Sequence, residues 1–115
     1  MEKQPVEKKP RVDHKSKKIK IFYDMAEFYS IFTNPTRLRI LYTLLDGEKC
    51  VKKICEILDI NQSTCSHQLK LLRQYKVVKI KRDGRFIRYS LSDDHIREII
   101  EVGENHILEW STTLP

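Results

Sequence analysis

Several features that define other classes of protein are scarce in this chain of 115 residues. It has only three cysteines, an odd number at unequal spacing, which does not make the disulfide framework of a small secreted domain. No apolar run approaches the length that spans a membrane. The Lys-rich first twenty residues lack the apolar segment and cleavage site of a secretory signal. We therefore expect a reduced, cytoplasmic protein with no membrane partner.

Signatures of catalysis are also scarce. With three glycines in all, the chain has no Gly-rich phosphate loop. It also shows no plausible pairing of a nucleophile with a base and no catalytic zinc motif. We expect a binding protein rather than an enzyme.

Charge is distributed unevenly along the chain, although the net charge is only +6. Residues 63–90 carry eight Lys or Arg against one acid, whereas residues 91–115 carry one against six. A basic segment attracts the phosphates of nucleic acid because binding releases condensed counterions. The acidic end is the place to look for bound cations. The alternative is that both segments are ordinary solvated faces of opposite sign.

The spacing of apolar residues predicts one mainly α-helical domain at 19–110, after a disordered basic arm at 1–18 and before a tail at 111–115. Asn34-Pro35 has the form of a helix start, with Asn34 as the N-cap and Pro35 at the first helical position. Helices are predicted from residue 19, from residue 35 to Asp46-Gly47, at about 51–58, from 62 to about 74, and at about 93–110.

The third and fourth helices are short and joined by a tight connection, which predicts a helix-turn-helix. Many such turns place a glycine where Asp59 stands, and aspartate tolerates the left-handed backbone conformation better than most residues. Alternating apolar residues then flank Asp83-Gly84, which predicts a β-hairpin at that dipeptide. The expected fold is therefore a winged helix-turn-helix, mainly α with a small β-hairpin, that forms a homodimer through its terminal helices.

The fourth helix would expose a polar face opposite a buried stripe of Cys65, Leu69 and Leu72. Recognition helices place their N-terminal residues in the major groove, where glutamine and serine reach base edges. Basic residues of the helix and hairpin would contact the phosphate backbone. The alternative is an amphipathic helix with an ordinary polar surface. The predicted DNA contacts are Gln62, Ser63, Thr64, Ser66, His67, Lys70 and Arg73 on the helix, and Lys81, Arg82, Arg85 and Arg88 on the hairpin.

The last helix carries two pairs of metal-ligating residues, Asp93-x-His95 and His106-x-x-Glu109. Histidine and carboxylate ligands favour zinc and neighbouring metals. The members of the second pair share a helical face because they are three residues apart. The two histidines lie about 16 Å apart along the axis, at about 1.5 Å per residue. Zinc needs its donors within about 2 Å, so one helix cannot bring both pairs to one ion.

An antiparallel second copy of the helix would solve this separation. Asp93 and His95 of one protomer would meet His106 and Glu109 of the other, and two-fold symmetry would make two equivalent sites per dimer. The alternative is a chance pattern of ligand-type residues on an exposed acidic helix. The predicted apolar contacts of the helix pair are Ile96, Ile99, Ile100 and Ile107.

The order of five helices and a wing, together with the stretches at 61–73 and 88–95, resembles the ArsR/SmtB family of metalloregulators. The similarity covers about Ile21 to Glu109. Members of this family are homodimeric repressors that leave operator DNA on binding a metal or another inducer. The resemblance therefore implies double-stranded operator DNA and a second copy of the chain as partners. It also implies positions close to the bases for Gln62, Ser63, Ser66 and His67.

The zinc-sensing branch of that family binds metal between its paired C-terminal helices. The ligand pattern of that branch matches Asp93, His95, His106 and Glu109, including the spacing. The resemblance implies Zn(II) as the effector, with Co(II) or Ni(II) as alternatives.

A second site of the family uses a Cys-x-Cys pair on the third helix, together with cysteines of an N-terminal arm. Cys50 stands at the first of these positions, but Lys52 occupies the second and residues 1–20 contain no cysteine. A soft-metal site is therefore expected to be absent. Cys55 and Cys65 are expected to be small inward-facing apolar thiols. The alternative function is a winged-helix repressor induced by cysteine oxidation, with Cys50 as the candidate because neighbouring lysines favour its thiolate.

Overall fold

The computed structural model describes residues 17–113, which form five α-helices and one two-stranded antiparallel hairpin. This confirms the predicted mainly α class with a small β-hairpin. Among the described residues, no helix is long and apolar enough to cross a membrane. The elements are α1 (Lys17–Ser30), α2 (Pro35–Thr43), α3 (Val51–Leu58), α4 (Gln62–Gln74), β1 (Val78–Asp83), β2 (Phe86–Leu91) and α5 (Asp94–Thr113), with 3₁₀ turns at Ile31–Thr33 and Leu44–Asp46.

The ends of the helical region differ slightly from the prediction. The predicted arm at 1–18 lies mostly outside the described residues, and α1 begins at Lys17, inside that segment. At the other end, α5 continues to Thr113, into the predicted tail at 111–115. The chain divides into two compact units, with the boundary between Thr33 and Asn34.

The described part of the first unit consists of α1 and the 3₁₀ turn that follows it. Phe28 is half-buried and packs edge-to-face against Phe32, with the two ring centroids 5.4 Å apart. Many apolar side chains of α1 are exposed, and soluble proteins rarely leave contiguous apolar surface uncovered. The exposed apolar residues of α1 are Ile19, Ile21, Phe22, Tyr23, Met25 and Tyr29.

The second unit begins with the predicted cap of α2. The Asn34 side-chain oxygen accepts a hydrogen bond of 3.0 Å from the backbone N–H of Arg37, and Pro35 occupies the first turn. This confirms the predicted helix start. The α-helix ends at Thr43, and the last residues before Gly47 tighten into a 3₁₀ turn.

The core of the second unit lies between α2, α3 and α4 and continues to the base of the hairpin and the first turns of α5. Burial confirms the inward stripe of α4, since Cys65, Leu69 and Leu72 are each 0% exposed. Leu38 of α2 is 37% exposed. The other buried apolar residues are Ile40, Leu41, Leu44, Ile54, Leu58, Val77, Val78, Leu91, Ile96 and Ile100.

The turn between α3 and α4 sets the geometry of the helix-turn-helix. Asp59 has φ 55° and ψ 51°, which confirms the left-handed conformation expected at this position. The guanidinium of Arg39 donates a hydrogen bond of 2.9 Å to the carbonyl of Leu58, at the C-terminal end of α3. The Asn61 side chain then accepts a hydrogen bond of 2.7 Å from the N–H of Thr64 and caps α4. The first helix thus ends and the next one starts within three residues, held by a bond from α2 and by the side-chain cap of α4.

Replacing Asp59 by glycine should raise the free energy of unfolding by about 1 kcal/mol, because glycine adopts the left-handed conformation without the steric cost of a Cβ. Urea denaturation of both proteins at equal concentration measures the difference. Glu56→Gly is the matched control inside α3, where it should lower stability by about 1 kcal/mol. Destabilisation by both substitutions would contradict the prediction.

The hairpin pairs β1 with β2 in a register that runs from Val78 opposite Leu91 to Asp83 opposite Phe86. The two turn residues are therefore Gly84 and Arg85, and the predicted turn at Asp83-Gly84 was one residue too early. Gly84 has φ 64°, and a glycine with positive φ at the first central position is typical of a type II′ turn. Because Gly84 takes the first turn position, Asp83 is the last residue of β1.

Candidate nucleic-acid interface and metal site

The outer face of α4 is polar and exposed. All seven residues predicted to contact DNA from this helix are exposed, while Cys65, Leu69 and Leu72 hold its opposite face in the core. The N-terminal end of α4 carries Gln62 and Ser63 directly after the Asn61 cap. A helix N-terminus favours negative charge, and these side chains are of types that reach base edges in the major groove.

The wing, which we define as residues 78–91, adds positive charge beside this helix. Lys81, Arg82 and Arg85 are exposed. Lys81 lies directly opposite Arg88 in the strand register, and like charges at opposing positions destabilise a hairpin. An anion bound at the wing would relieve this repulsion.

Arg88 differs from the other wing cations. It is only half-exposed, and its Nε lies 3.7 Å from the Oε2 of Glu48. Next to Arg88, the wing is also held by Lys49 and Tyr89, whose backbone groups exchange hydrogen bonds of 2.9 and 2.8 Å. Sequence reasoning missed Glu48, because an acid 40 residues before its partner gives no local signal.

The predicted metal ligands form two separate pairs on α5. Asp93 precedes the helix, and its Oδ1 accepts a hydrogen bond of 3.3 Å from the N–H of Ile96. The same oxygen lies 3.6 Å from Nδ1 of His95, so the structure brings the first pair together. His106 and Glu109 are exposed near the other end of the helix.

The two pairs do not meet within one chain. Among residues 17–113, no group of three or more His, Cys, Asp or Glu side chains is close enough together to hold a metal ion. Because the two pairs lie far apart on one helix, bringing all four predicted ligands to one ion requires two molecules.

The C-terminal part of α5 exposes several apolar side chains. Every residue from Glu101 to Ser111 is exposed, and Val102 and Trp110 are 65% and 56% exposed. Apolar groups on such a surface are typical of an interaction site. Ile107 and Leu108 belong to the same exposed stretch.

The predicted apolar contacts of the helix pair need a correction. Ile96 and Ile100 are 4% and 7% exposed because they pack in the core of their own chain, so the prediction that they join two helices was wrong. Ile99 is half-buried and Ile107 is exposed, so both retain some free surface. Sequence periodicity placed all four residues on one apolar side of the helix. It did not show which of them are buried by other elements of the same chain.

One long-range hydrogen bond connects α5 to α2. The hydroxyl of Tyr42 donates a hydrogen bond of 2.9 Å to Oε2 of Glu104, and this carboxylate raises the pKa of Tyr42. Glu104 lies two residues before His106 on the same helix. This bond therefore links the segment of α5 around His106 to α2.

Comparison with known proteins gives the family. Residues 34–79 match the family model for bacterial regulatory proteins of the arsR family. The chain is 33% identical over 82 residues to the cadmium resistance transcriptional regulatory protein CadC of Listeria innocua, and the match covers 70% of this chain and 69% of CadC. The chain belongs to the arsR family. The two curated relatives named in this section are transcriptional regulators.

Two further matches agree with this assignment. The chain is 38% identical over 85 residues to the transcriptional repressor SmtB homolog of a Synechocystis strain, over 74% of this chain and 64%, just under two thirds, of that repressor. The crystal structure of Rv0081 from Mycobacterium tuberculosis is similar with a TM-score of 0.74 and 28% identity, covering 80% of this chain and 93% of Rv0081.

The arsR-family model covers only part of the site. Its match runs from Asn34 to Lys79 and so includes all of α2, α3 and α4, with the candidate DNA-contacting helix. The paired residues of α5 lie beyond it. The family model therefore assigns no role to α5.

Proposed function

We propose that this arsR-family protein is a metal-responsive transcriptional repressor. The apo homodimer binds operator DNA and releases it when Zn(II) binds between paired C-terminal helices, with Co(II) or Ni(II) as alternative effectors. The observation that carries the proposal is the placement of two exposed His-carboxylate pairs at opposite ends of a helix that also exposes apolar side chains. Such a helix has both the ligands and the surface to join a second copy.

DNA binding is supported by the shape and charge of the second unit. The fully buried stripe of α4 directs its polar side outward, and the exposed cations Lys81, Arg82 and Arg85 lie on the wing. Contacts of wing cations with phosphates would set the position of the protein, while the N-terminal residues of α4 would contact bases. A repressor that acts on chromosomal DNA works in the cytoplasm of a bacterium, which is the location we propose.

Metal binding is supported by the donor types. Imidazole and carboxylate oxygens suit Zn(II), Co(II) and Ni(II). Asp93 and His95 of one protomer, with His106 and Glu109 of the other, would hold each ion. The metal would supply a cross-link between the two helices. The similar protein CadC is named for cadmium resistance, which supports a metal as the effector in this group of regulators.

Release of DNA requires only that the metal bind the free dimer more tightly than the DNA-bound dimer. His106 would carry this coupling, because a ligating imidazole needs an acceptor for its second ring nitrogen. The Tyr42–Glu104 hydrogen bond offers a second connection, since it links the segment around His106 to α2. Both contacts would change if metal ligation moved α5.

Two measurements on the reduced protein test the proposal. Titration with Co(II) should give intense tetrahedral d–d bands without thiolate charge transfer, saturating near one ion per chain. Addition of Zn(II) should weaken binding to operator DNA, followed by fluorescence anisotropy, by about 10- to 100-fold. His106→Ala should lose both responses and keep apo DNA binding.

Glu98→Ala is the matched control, because it removes an exposed acid of α5 outside the proposed ligand set. This variant should behave like the wild-type protein. Metal-driven release that persists in His106→Ala would overturn the proposed site. Strong thiolate bands would move the site to the cysteines.

The salt dependence of DNA binding should distinguish the contributions of individual wing cations. The logarithm of the DNA association constant falls linearly with the logarithm of salt concentration. Arg85→Ala should make this slope less steep by about 1, the value for a single phosphate contact. Arg88→Ala should change it less, because Glu48 already lies beside that guanidinium. Anisotropy titrations at several salt concentrations give both slopes. Equal slopes for both variants and the wild type would contradict a phosphate contact at Arg85.

A further inference from the structure

The carboxylate of Glu48 faces a cation of the wing. Its Oε2 lies 3.7 Å from Nε of Arg88, and the two side chains are 43% and 39% exposed, so a phosphate of DNA can reach both. Within residues 17–113, Arg88 is the one cation that pairs with Glu48. The neighbouring Lys49 is engaged elsewhere, because its ammonium donates hydrogen bonds to Asp46 and to the carbonyl of Thr43.

The backbone fixes Glu48 beside the wing. The next residue, Lys49, exchanges backbone hydrogen bonds of 2.9 and 2.8 Å with Tyr89, which follows Arg88 on β2. The preceding residue, Gly47, ends the 3₁₀ turn with φ 140°, a conformation that favours glycine. The position of Glu48 is therefore set by the main chain on both sides.

Arg88 shares one face of the hairpin with two other cations. Side chains alternate between the two faces along a strand, so Lys79 and Lys81 lie on the same face, and Lys81 lies directly opposite Arg88. Like charges at opposing positions repel. In the free protein, Glu48 supplies to this face the negative charge that a phosphate would supply in a complex with DNA.

We propose that Glu48 is an internal counterion of the wing, which competes with DNA phosphate for Arg88 and so weakens DNA binding. To contact a phosphate, Arg88 must either leave the carboxylate or hold two anions close together, and both carry a cost in free energy. This role of Glu48 rests on the proposed DNA-binding function and is independent of metal binding at α5.

A cavity beside Glu48 gives its carboxylate an alternative position. The cavity has a volume of about 210 Å³, and its lining includes Glu48, Lys79 of β1 and Arg97 of α5. When a phosphate takes Arg88, the carboxylate can turn towards these two cations. Glu48 therefore lowers the affinity for DNA without blocking the wing.

Binding of the reduced, metal-free protein to a DNA duplex tests this role. The probe is a fluorescein-labelled duplex that the wild-type protein selects from a random library, and anisotropy is measured at several salt concentrations. Glu48→Gln removes the charge and keeps the shape, so it should raise the affinity at low salt by about five-fold, the upper limit for an exposed ion pair. It should also make the salt slope steeper by about 1, because Arg88 then contacts a phosphate.

Two further variants control for net charge and for the shape of the side chain. Glu98→Gln makes the same change of charge at an exposed position of α5 and should bind DNA like the wild-type protein. Glu48→Asp keeps the negative charge beside Arg88 and should retain most of the weakening.

A double-mutant cycle separates action through Arg88 from direct repulsion between Glu48 and DNA. In the Arg88→Ala background, Glu48→Gln should gain much less affinity than it gains in the wild type. Arg88→Ala should in turn cost a full phosphate contact only where Glu48 has been replaced. An equal gain with and without Arg88, or no gain in Glu48→Gln, would overturn the role of Glu48 as a competitor for Arg88.

Retention on a heparin column keeps the test separate from the proposed function, because heparin is a polyanion without base edges. Glu48→Gln should elute at a higher salt concentration than Glu98→Gln, and Arg88→Ala should abolish the difference. This result, combined with no binding to any selected duplex, would count against the repressor function and still support the counterion. Equal elution of the two glutamine variants would overturn the counterion.

Discussion

Mixed dimers of two inactive variants, His95→Ala and His106→Ala, should recover a metal site that neither variant has alone. In the proposed antiparallel arrangement, each site takes one histidine from each protomer. Each homodimer of a variant therefore has two damaged sites. In the mixed dimer, one site loses both histidines and the other keeps both. The recovered site should bind Co(II) with nearly wild-type affinity, at one ion per mixed dimer.

The expected effect is large. Removal of an outer-shell partner already costs up to about 100-fold in metal affinity, so loss of a direct ligand should cost at least as much. The two variants are co-expressed with different affinity tags, purified through both tags in turn, and titrated with Co(II) by absorbance.

The control is a mixed dimer of His95→Ala with Asp93→Ala. Both substitutions damage the same ligand pair, so neither site of this dimer is intact and no recovery is expected. Recovery in the control, or none in the first mixture, would show that ligands from opposite ends of α5 do not combine between protomers.

Leu69→Ala should lower the free energy of unfolding by about 2–5 kcal/mol, the range for truncating a buried leucine. Leu69 is 0% exposed and lies in the middle of the stripe that seats α4 on the core. Single domains have about 5–15 kcal/mol of stability in total, so this loss is a large part of the whole. Urea denaturation at fixed protein concentration measures it, since the proposed dimerisation would make stability depend on concentration.

The matched control is Lys70→Ala, the next residue of the same helix on its exposed side. It should change stability by no more than about 0.5 kcal/mol. A loss of less than about 1 kcal/mol in Leu69→Ala would mean that the stripe does not anchor the helix. The orientation of the proposed DNA-contacting face would then lose its support.

The sequence predicted those parts of the fold that depend on neighbouring residues. The cap at Asn34, the bounds of α3 and the left-handed Asp59 were all predicted, because side-chain caps and backbone preferences act over a few residues. The alternation of buried and exposed positions on α4 was also predicted, since helical periodicity needs no knowledge of other elements.

The hairpin turn shows where local reasoning becomes less accurate. Both Asp83-Gly84 and Gly84-Arg85 offer a two-residue turn containing the same glycine. The choice between them depends on which residues of β1 and β2 pair, and the register places Asp83 opposite Phe86. Strand register is set by packing of both strands against the core as well as by the turn.

For the candidate site, the sequence by itself determined which residues are of types that bind DNA or a metal ion. These are the basic segment, the polar side of α4 and the two ligand pairs on α5, which their spacing keeps apart. Only the tertiary structure decided that Ile96 and Ile100 belong to the core of the chain and that Arg88 lies beside Glu48. The reason is physical. Residue type and helical period are properties of a single segment, whereas burial and side-chain contact depend on how different segments pack against one another.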